Sequence, residues 1–201
     1  MAKALDRDKL LAAFDEIGRA AVGAHTRLDI AVYGGSALLL ASNFRYATEN
    51  VDISAIGSPW PEWLQRTVKQ IADENGWSGD WLNDGVASHL SGLANQAADH
   101  LEFGTFPREG GTPGLLVYVP TAEYLLALKV KAIRVNDPIR GEQERLDILN
   151  LMQVVGIRTP DEAIALLARY FPMSASSAEK QQFLLKNMRL DGAVDAPKYP
   201  R

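Results

Sequence analysis

The chain of 201 residues contains no cysteine, which excludes disulfides, thiolate metal sites and cysteine nucleophiles. It has no apolar run approaching the roughly 18 residues of a membrane span. Its first residues, Met1-Ala-Lys-Ala-Leu-Asp-Arg-Asp8, lack the apolar stretch of a signal peptide. A cytoplasmic protein with no membrane partner is the expectation. Positive charge is not in excess: the net charge is −4. That argues against a protein that coats nucleic acid non-specifically, while leaving room for a local basic patch. Histidines number three, and His89 and His100 stand alone without metal-ligand spacing, as surface or hydrogen-bonded histidines do. No internal repeat or low-complexity tract is present.

What remains is the composition of an ordinary globular protein, 47% hydrophobic and 23% charged, long enough for one large or two small domains. Apolar spacing predicts an amphipathic helix over 6–22, with Leu10, Leu11, Phe14 and Ile17 on one face. A short strand follows at Leu28–Tyr33, then a turn at Gly34-Gly35, a helix over 37–41 capped by Ser36, and a strand at Val51-Asp52-Ile53. Gly57-Ser58-Pro59 closes this unit. A helix over 60–75 stops at Gly76. Residues 77–90 read as irregular, with Trp81 as a core anchor. Strands are expected at 101–106 and 115–119, joined by the turn-rich Pro107–Gly114. From Thr121 onward the pattern is helical: 121–134, 141–155, 159–170 after a Thr-Pro-Asp-Glu start, and a weaker helix over 174–188.

The fold class expected is therefore α/β (α+β), a mixed sheet flanked by helices over residues 1–120. A helical subdomain over 121–190 packs on it, and a loose tail runs over 191–201.

The chemistry concentrates at the glycine turn. Two glycines let the backbone turn sharply and approach a ligand closely. A helix starting there is a natural anion site. The strand at 51–53 would bring Asp52 beside it. A phosphate cradle next to a metal-binding carboxylate is the minimum apparatus for handling a nucleoside triphosphate.

Gly34-Gly35-Ser36-Ala37-Leu38, followed by Arg45, Thr48 and Val51-Asp52, resembles the nucleotidyltransferase superfamily with the polymerase-β-like fold. The likeness is to its small bacterial members, including the AbiEii-type toxins of abortive infection and toxin–antitoxin pairs. Their pattern is a Gly-Gly or Gly-Ser turn, about ten residues, then Arg-x-Thr/Ser-x-Asp-Val/Ile-Asp. Here Asn50 stands where the first aspartate is expected, and Arg45 to Thr48 is one residue longer. A second stretch resembles the same group. Leu125-Leu-Ala-Leu-Lys129-Val-Lys-Ala132 matches a Leu-Leu-x-x-Lys-x-x-Ala segment, and Glu144-Arg-Leu-Asp147-Ile148 matches an Asp-x-x-Asp-Ile/Leu helix with Glu144 for the first aspartate.

The resemblance implies nucleotide binding by Gly34, Gly35, Ser36, Arg45 and Thr48, and catalysis by Asp52, Lys129 and Asp147. It implies a Mg²⁺ held by Asp52, Asn50 and, as the candidate third ligand, Glu102, weakly and with help from the nucleotide. Both stretches would then meet in one site. The implied activity is transfer of an NMP from an NTP to RNA or protein, in a toxin–antitoxin or phage-defence setting. Nucleotidyl transfer is an in-line attack on a phosphate, so positioning and charge neutralisation are what the residues must supply. The alternatives are a catalytically degenerate member that binds nucleotide or a partner, and an antitoxin or regulatory partner of a cognate toxin. A purely structural reading makes Lys129, Arg140, Glu144 and Asp147 solvated ion pairs between adjacent helices.

Overall fold

The computed structural model describes residues 4–54, 59–133, 137–138, 140–188 and 193–200. The expected turn at Gly57-Ser58, the end of the helix at Arg134 and the start of the tail lie outside them. The chain divides into two units. The first takes in Met1–Ala41, Arg45–Ser88 and His100–Val119; the second takes in Ser42–Phe44, His89–Asp99 and Pro120–Arg201.

The first unit opens with α1 (Arg7–Gly23), whose start is fixed by the Asp6 side chain accepting from the Lys9 N–H. Then come β1 (Leu28–Tyr33), α2 (Gly34–Ala41), β2 (Val51–Ser54), α3 (Glu62–Asn75) and β3 (Leu82–Asn83). A one-turn 3₁₀ helix follows at Ala87–His89, and α4 (Gln96–Asp99), a short piece of the second unit, leads into β4 (His100–Phe106) and β5 (Leu115–Pro120). The strands form one mixed sheet in the order β3-β2-β1-β5-β4. β1 runs antiparallel to β2 and parallel to β5, while β3 runs parallel to β2. The fold class read from the sequence is thus the observed one.

Burial explains the order. β5 is buried along almost its whole length, as a strand with neighbours on both sides and cover on both faces must be. In β2 the alternation is clean: Val51 and Ile53 are buried, and Asp52 and Ser54 are half-buried on the other face. β3 is too short to show any period, which is why residues 77–90 read as irregular. Its anchor is Trp81, wholly buried, with its indole N–H donating to the Val68 carbonyl at 3.0 Å.

The second unit holds α5 (Ala122–Ala132), α6 (Gly141–Val155), α7 (Pro160–Tyr170), α8 (Pro172–Ala175) and α9 (Glu179–Lys186). Thr159 and Glu162 form a reciprocal capping box at the start of α7. Two expectations are corrected here. The helix read over 174–188 is two pieces, because Pro172 starts α8 and the chain turns before Glu179. The tail is not loose over its described part. Val194 N–H donates to Asn150 Oδ1 at 2.9 Å, and the Tyr199 hydroxyl donates to the Pro120 carbonyl at 2.9 Å with the ring 7% exposed. Burial raises the Tyr199 phenol well above its ordinary range.

Close packing of α1 on the β4–β5 loop depends on two missing side chains. A Cβ on Gly18 would lie 2.5 Å from the Phe106 carbonyl oxygen, and one on Gly114 would run into the Gly18 carbonyl. Asp15 ties the same loop down, accepting from the Arg108 N–H at 2.7 Å and from its guanidinium at 2.7 and 2.9 Å. Gly114→Ala is expected to destabilise the protein by about 1–3 kcal/mol or more. Gly79→Ala, where a Cβ meets nothing within 4 Å, should change little. Urea unfolding of the two variants beside the wild type checks this.

Candidate functional site

In the first unit, β1 runs straight into α2. Gly34, the first residue of the helix, has φ of +63°. A side chain there would be strained by the left-handed backbone, and its Cβ would sit 3.2 Å from Asp52 Oδ2. At Gly35 a Cβ would lie 2.9 Å from Arg45 Nη2 and 3.2 Å from Thr48 Oγ1. Three side chains predicted from the sequence therefore press on the two glycines.

Each is placed by local structure. Asp52 sits on β2 opposite Tyr33, the last residue of β1, so the antiparallel register delivers it to the turn. Paired residues share a face, so Asp52 has Tyr33 on one side and Asn83 of β3 on the other. Arg45 is folded along its own loop, its Nε donating to the Ala47 carbonyl at 2.8 Å. Thr48 is buried, and its backbone exchanges hydrogen bonds with Leu5 at 2.8 and 3.0 Å. Its hydroxyl donates to the Asn50 carbonyl at 3.0 Å. The Asn50 amide in turn donates to Asp52 Oδ1 at 3.2 Å.

Ser36 departs from expectation. The helix begins three residues earlier than a Ser36 cap would require. Ser36 lies inside the first turn, 1% exposed, and its hydroxyl donates back to the Tyr33 carbonyl at 2.7 Å. It does not cap α2. The backbone N–H groups of the first turn, those of the glycine turn among them, are the ones a helix start leaves without an intrahelical acceptor.

Glu102 is also corrected. It lies on β4, three strand steps from Asp52 across β1 and β5, or about 14 Å at about 4.8 Å per step. On the strands that flank Asp52, the residues in register are Tyr33 and Asn83, neither a carboxylate. Among the described residues no three His, Cys, Asp or Glu side chains gather as a metal cluster. Asp52 alone, with a neutral asparagine beside it, is a poor fit to a resident Mg²⁺, which takes carboxylates and phosphates together.

Two partners of this region escaped the sequence reading. Asn83 lies on a strand too short to carry a pattern. Tyr33 read as the end of an apolar strand, yet its hydroxyl is 2.8 Å from His100 Nε2. His100 is thus a hydrogen-bonded histidine, as its lone spacing suggested.

The second constellation lies in the second unit. Lys129 projects from α5 and is 7% exposed; Asp147 on α6 is wholly buried. Lys129 Nζ is 3.0 Å from both Glu144 Oε2 and Asp147 Oδ2. The Gln143 amide donates to Asp147 Oδ1 at 3.0 Å. Of the ion pairs in the structural reading, those of Lys129 with Glu144 and Asp147 exist, but Lys129 and Asp147 are buried rather than solvated. Burial alone would lower the Lys129 pKa; the charges of Asp147 and Glu144 outweigh it and hold the ammonium above its ordinary range.

This makes alanine at 129 a structural perturbation as well as a chemical one. Lys129→Met should cost about 3–5 kcal/mol, because it leaves two carboxylates without their cation. Replacing all three groups, as Lys129→Met with Glu144→Met and Asp147→Leu, should return stability to the wild-type level or above. The folded pKa exceeds the unfolded value, so the stabilisation from Lys129 is complete below about pH 10.4. It is lost as pH rises through the folded value. Urea midpoints measured from neutral to strongly alkaline pH check both statements.

No family model matches the chain, and no curated protein matches it. Among solved structures the chain is similar to an antigenic nucleotidyltransferase-like protein from Paracoccidioides brasiliensis. Identity is 16% over 90% of this chain and 96% of that one, with a TM-score of 0.38. A likeness at that level carries no argument about the site, which rests on its own geometry.

Proposed function

We propose that the protein is nucleotidyltransferase-like and holds the triphosphate of a nucleoside triphosphate at the Gly34–Gly35 turn, for transfer of an NMP to RNA or protein. The observation that carries this reading is the convergence of Arg45, Thr48 and Asp52 on two backbone positions where a Cβ would collide or be strained. A turn kept bare of side chains, at a helix start, with a guanidinium against it, suits phosphate oxygens. Asp52 is the carboxylate positioned to meet a cation that arrives with the nucleotide.

The chain's own share of the chemistry is to bind and orient. The glycine N–H groups and Arg45 hold the phosphates in line, and the loop pinned at Thr48 keeps Arg45 in place. Mg²⁺, when bound, neutralises phosphate charge. Lys129 and Asp147 enter this reading as the ionic support of the helical unit, since Lys129 Nζ is engaged by two carboxylates. A bacterial toxin–antitoxin or phage-defence setting, with a cognate toxin or antitoxin as partner, rests on the motif resemblance alone.

A second reading is favoured by one contact. The Asn50 amide donates to Asp52, so the remaining carboxylate has a neutral partner where two charges would hold a metal. In this reading the protein binds nucleotide or a partner without transferring anything.

The test is transfer of label from NTPs radiolabelled at the α-phosphate, with Mg²⁺ and with RNA and proteins as acceptors. Wild type, Asn50→Asp and Asp52→Ala are compared. Transfer by the wild type that Asp52→Ala abolishes and Asn50→Asp raises supports the enzyme. Robust transfer surviving Asp52→Ala would rule out this site. Silence from wild type and Asn50→Asp, with NTP binding retained, selects the second reading. Calorimetry should find Mg²⁺ binding weak without nucleotide; tight binding would contradict a site with a single carboxylate.

A further inference from the structure

Asp52 is flanked by two asparagines that are engaged in different ways. Asn50, on the approach to the same strand, donates its amide to Asp52 Oδ1 at 3.2 Å. Asn83 stands across the strand gap, the partner of Asp52 in the parallel register of β2 and β3. Neighbouring strands lie about 4.8 Å apart, and residues in register share a face. Burial agrees. Val51 and Leu82, the preceding pair, are both buried, while Asp52 and Asn83 are both half-buried on the opposite face. Strand pairing therefore sets the Asn83 side chain beside the carboxylate that approaches Gly34.

One contact orients the Asn83 amide. The Gly85 N–H donates to Asn83 Oδ1 at 3.0 Å, an Asx turn that ends the strand. A backbone N–H needs an acceptor, so the oxygen of the carboxamide is on that side and its NH₂ on the other. A Cβ on Gly85 would lie 3.1 Å from the same oxygen and crowd the bond. Among the described residues Asn83 Nδ2 makes no hydrogen bond. Aspartate would form the same turn and give Asp52 a second charge for holding a cation. Asparagine places a donor there instead.

We infer that Asn83 is an anion-binding residue of the glycine-turn site, its Nδ2 donating to an oxygen of the phosphate group that lies against Asp52. The inference rests on the phosphate reading above and adds to it a contact from a third strand. A hydrogen bond from an amide to a phosphate oxygen has a charged acceptor and is stronger than one between neutral groups. It also leaves Oδ1 with Gly85, so that the residue serves the anion and not the metal.

The experiment is calorimetric titration of the full chain with inorganic tripolyphosphate and with ATP, both in Mg²⁺ buffer. Wild type, Asn83→Asp and Asn83→Ser are compared, with urea unfolding of each. Both variants keep an oxygen that can accept from the Gly85 N–H, and both lack the amide. The expected result is unfolding close to wild type, with tripolyphosphate and ATP each bound about tenfold more weakly by both variants. Wild-type affinity in both variants would leave Asn83 a turn residue, overturning the inference while the phosphate site stands. Tighter binding by Asn83→Asp overturns it too, since the position would then serve the cation. A loss seen with ATP and not with tripolyphosphate places the amide on the nucleoside and overturns the phosphate contact. A loss confined to a variant that also unfolds at lower urea overturns it as well, because the turn then carries the effect. Failure of the wild type to bind either ATP or tripolyphosphate overturns the phosphate reading, and the Asn83 contact with it.

Discussion

The space left by two absent side chains organises the candidate site. At Gly34 the backbone takes a left-handed turn out of β1, and at Gly35 it is approached by a guanidinium and a hydroxyl. A Cβ at either position would push back Asp52, Arg45 or Thr48. Everything else that defines the site follows from filling that space. β2 must pair with β1 in the register that sets Asp52 against Tyr33. The loop between α2 and β2 must be held at Thr48, so that Arg45 folds onto the turn. Steric exclusion, which falls off within a fraction of an ångström, fixes these positions more tightly than the attractions among them.

Charge is handled in two different ways in the two units. At the glycine turn the ionic groups are half-exposed, and an asparagine tempers the one carboxylate. In the helical unit Lys129, Glu144 and Asp147 satisfy one another out of water. A buried cluster of that kind adds little net stability over a well-packed apolar one, yet removal of the lysine leaves two carboxylates without their cation. The same residue types that the motif resemblance would assign to catalysis are therefore also tightly tied to the integrity of their own unit.

The regular elements were legible wherever local chemistry was sufficient. β1, α6 and α7 fall at the residues expected from periodicity and caps: Leu28–Tyr33, Gly141–Val155 and Pro160–Tyr170. The capping box at Thr159 and the left-handed Gly156 are decided within a few residues of chain. Elements that need a distant partner were not legible. The two-residue β3 exists because β2 offers it an edge, and a stretch so short carries no period. The tail read as loose from its prolines and glycine. In the fold Tyr199 finds a buried place and a carbonyl, which composition cannot foretell.

For the site, the sequence by itself determined the ingredients: the paired glycines, Arg45, Thr48, a lone Asp52 after Asn50, and the Lys129–Asp147 spacing on successive helices. Residue type and separation along the chain are local facts, and they are enough to predict a turn, a helix start and a carboxylate-bearing strand. Only the tertiary structure decided who meets whom. Strand order placed Glu102 three strands from Asp52 and put Asn83 beside it instead. The start of α2 turned Ser36 inward, and helix packing closed Lys129 between two carboxylates. Those outcomes depend on sheet order, helix start and burial, which are set by the packing of the whole chain and not by any window of it.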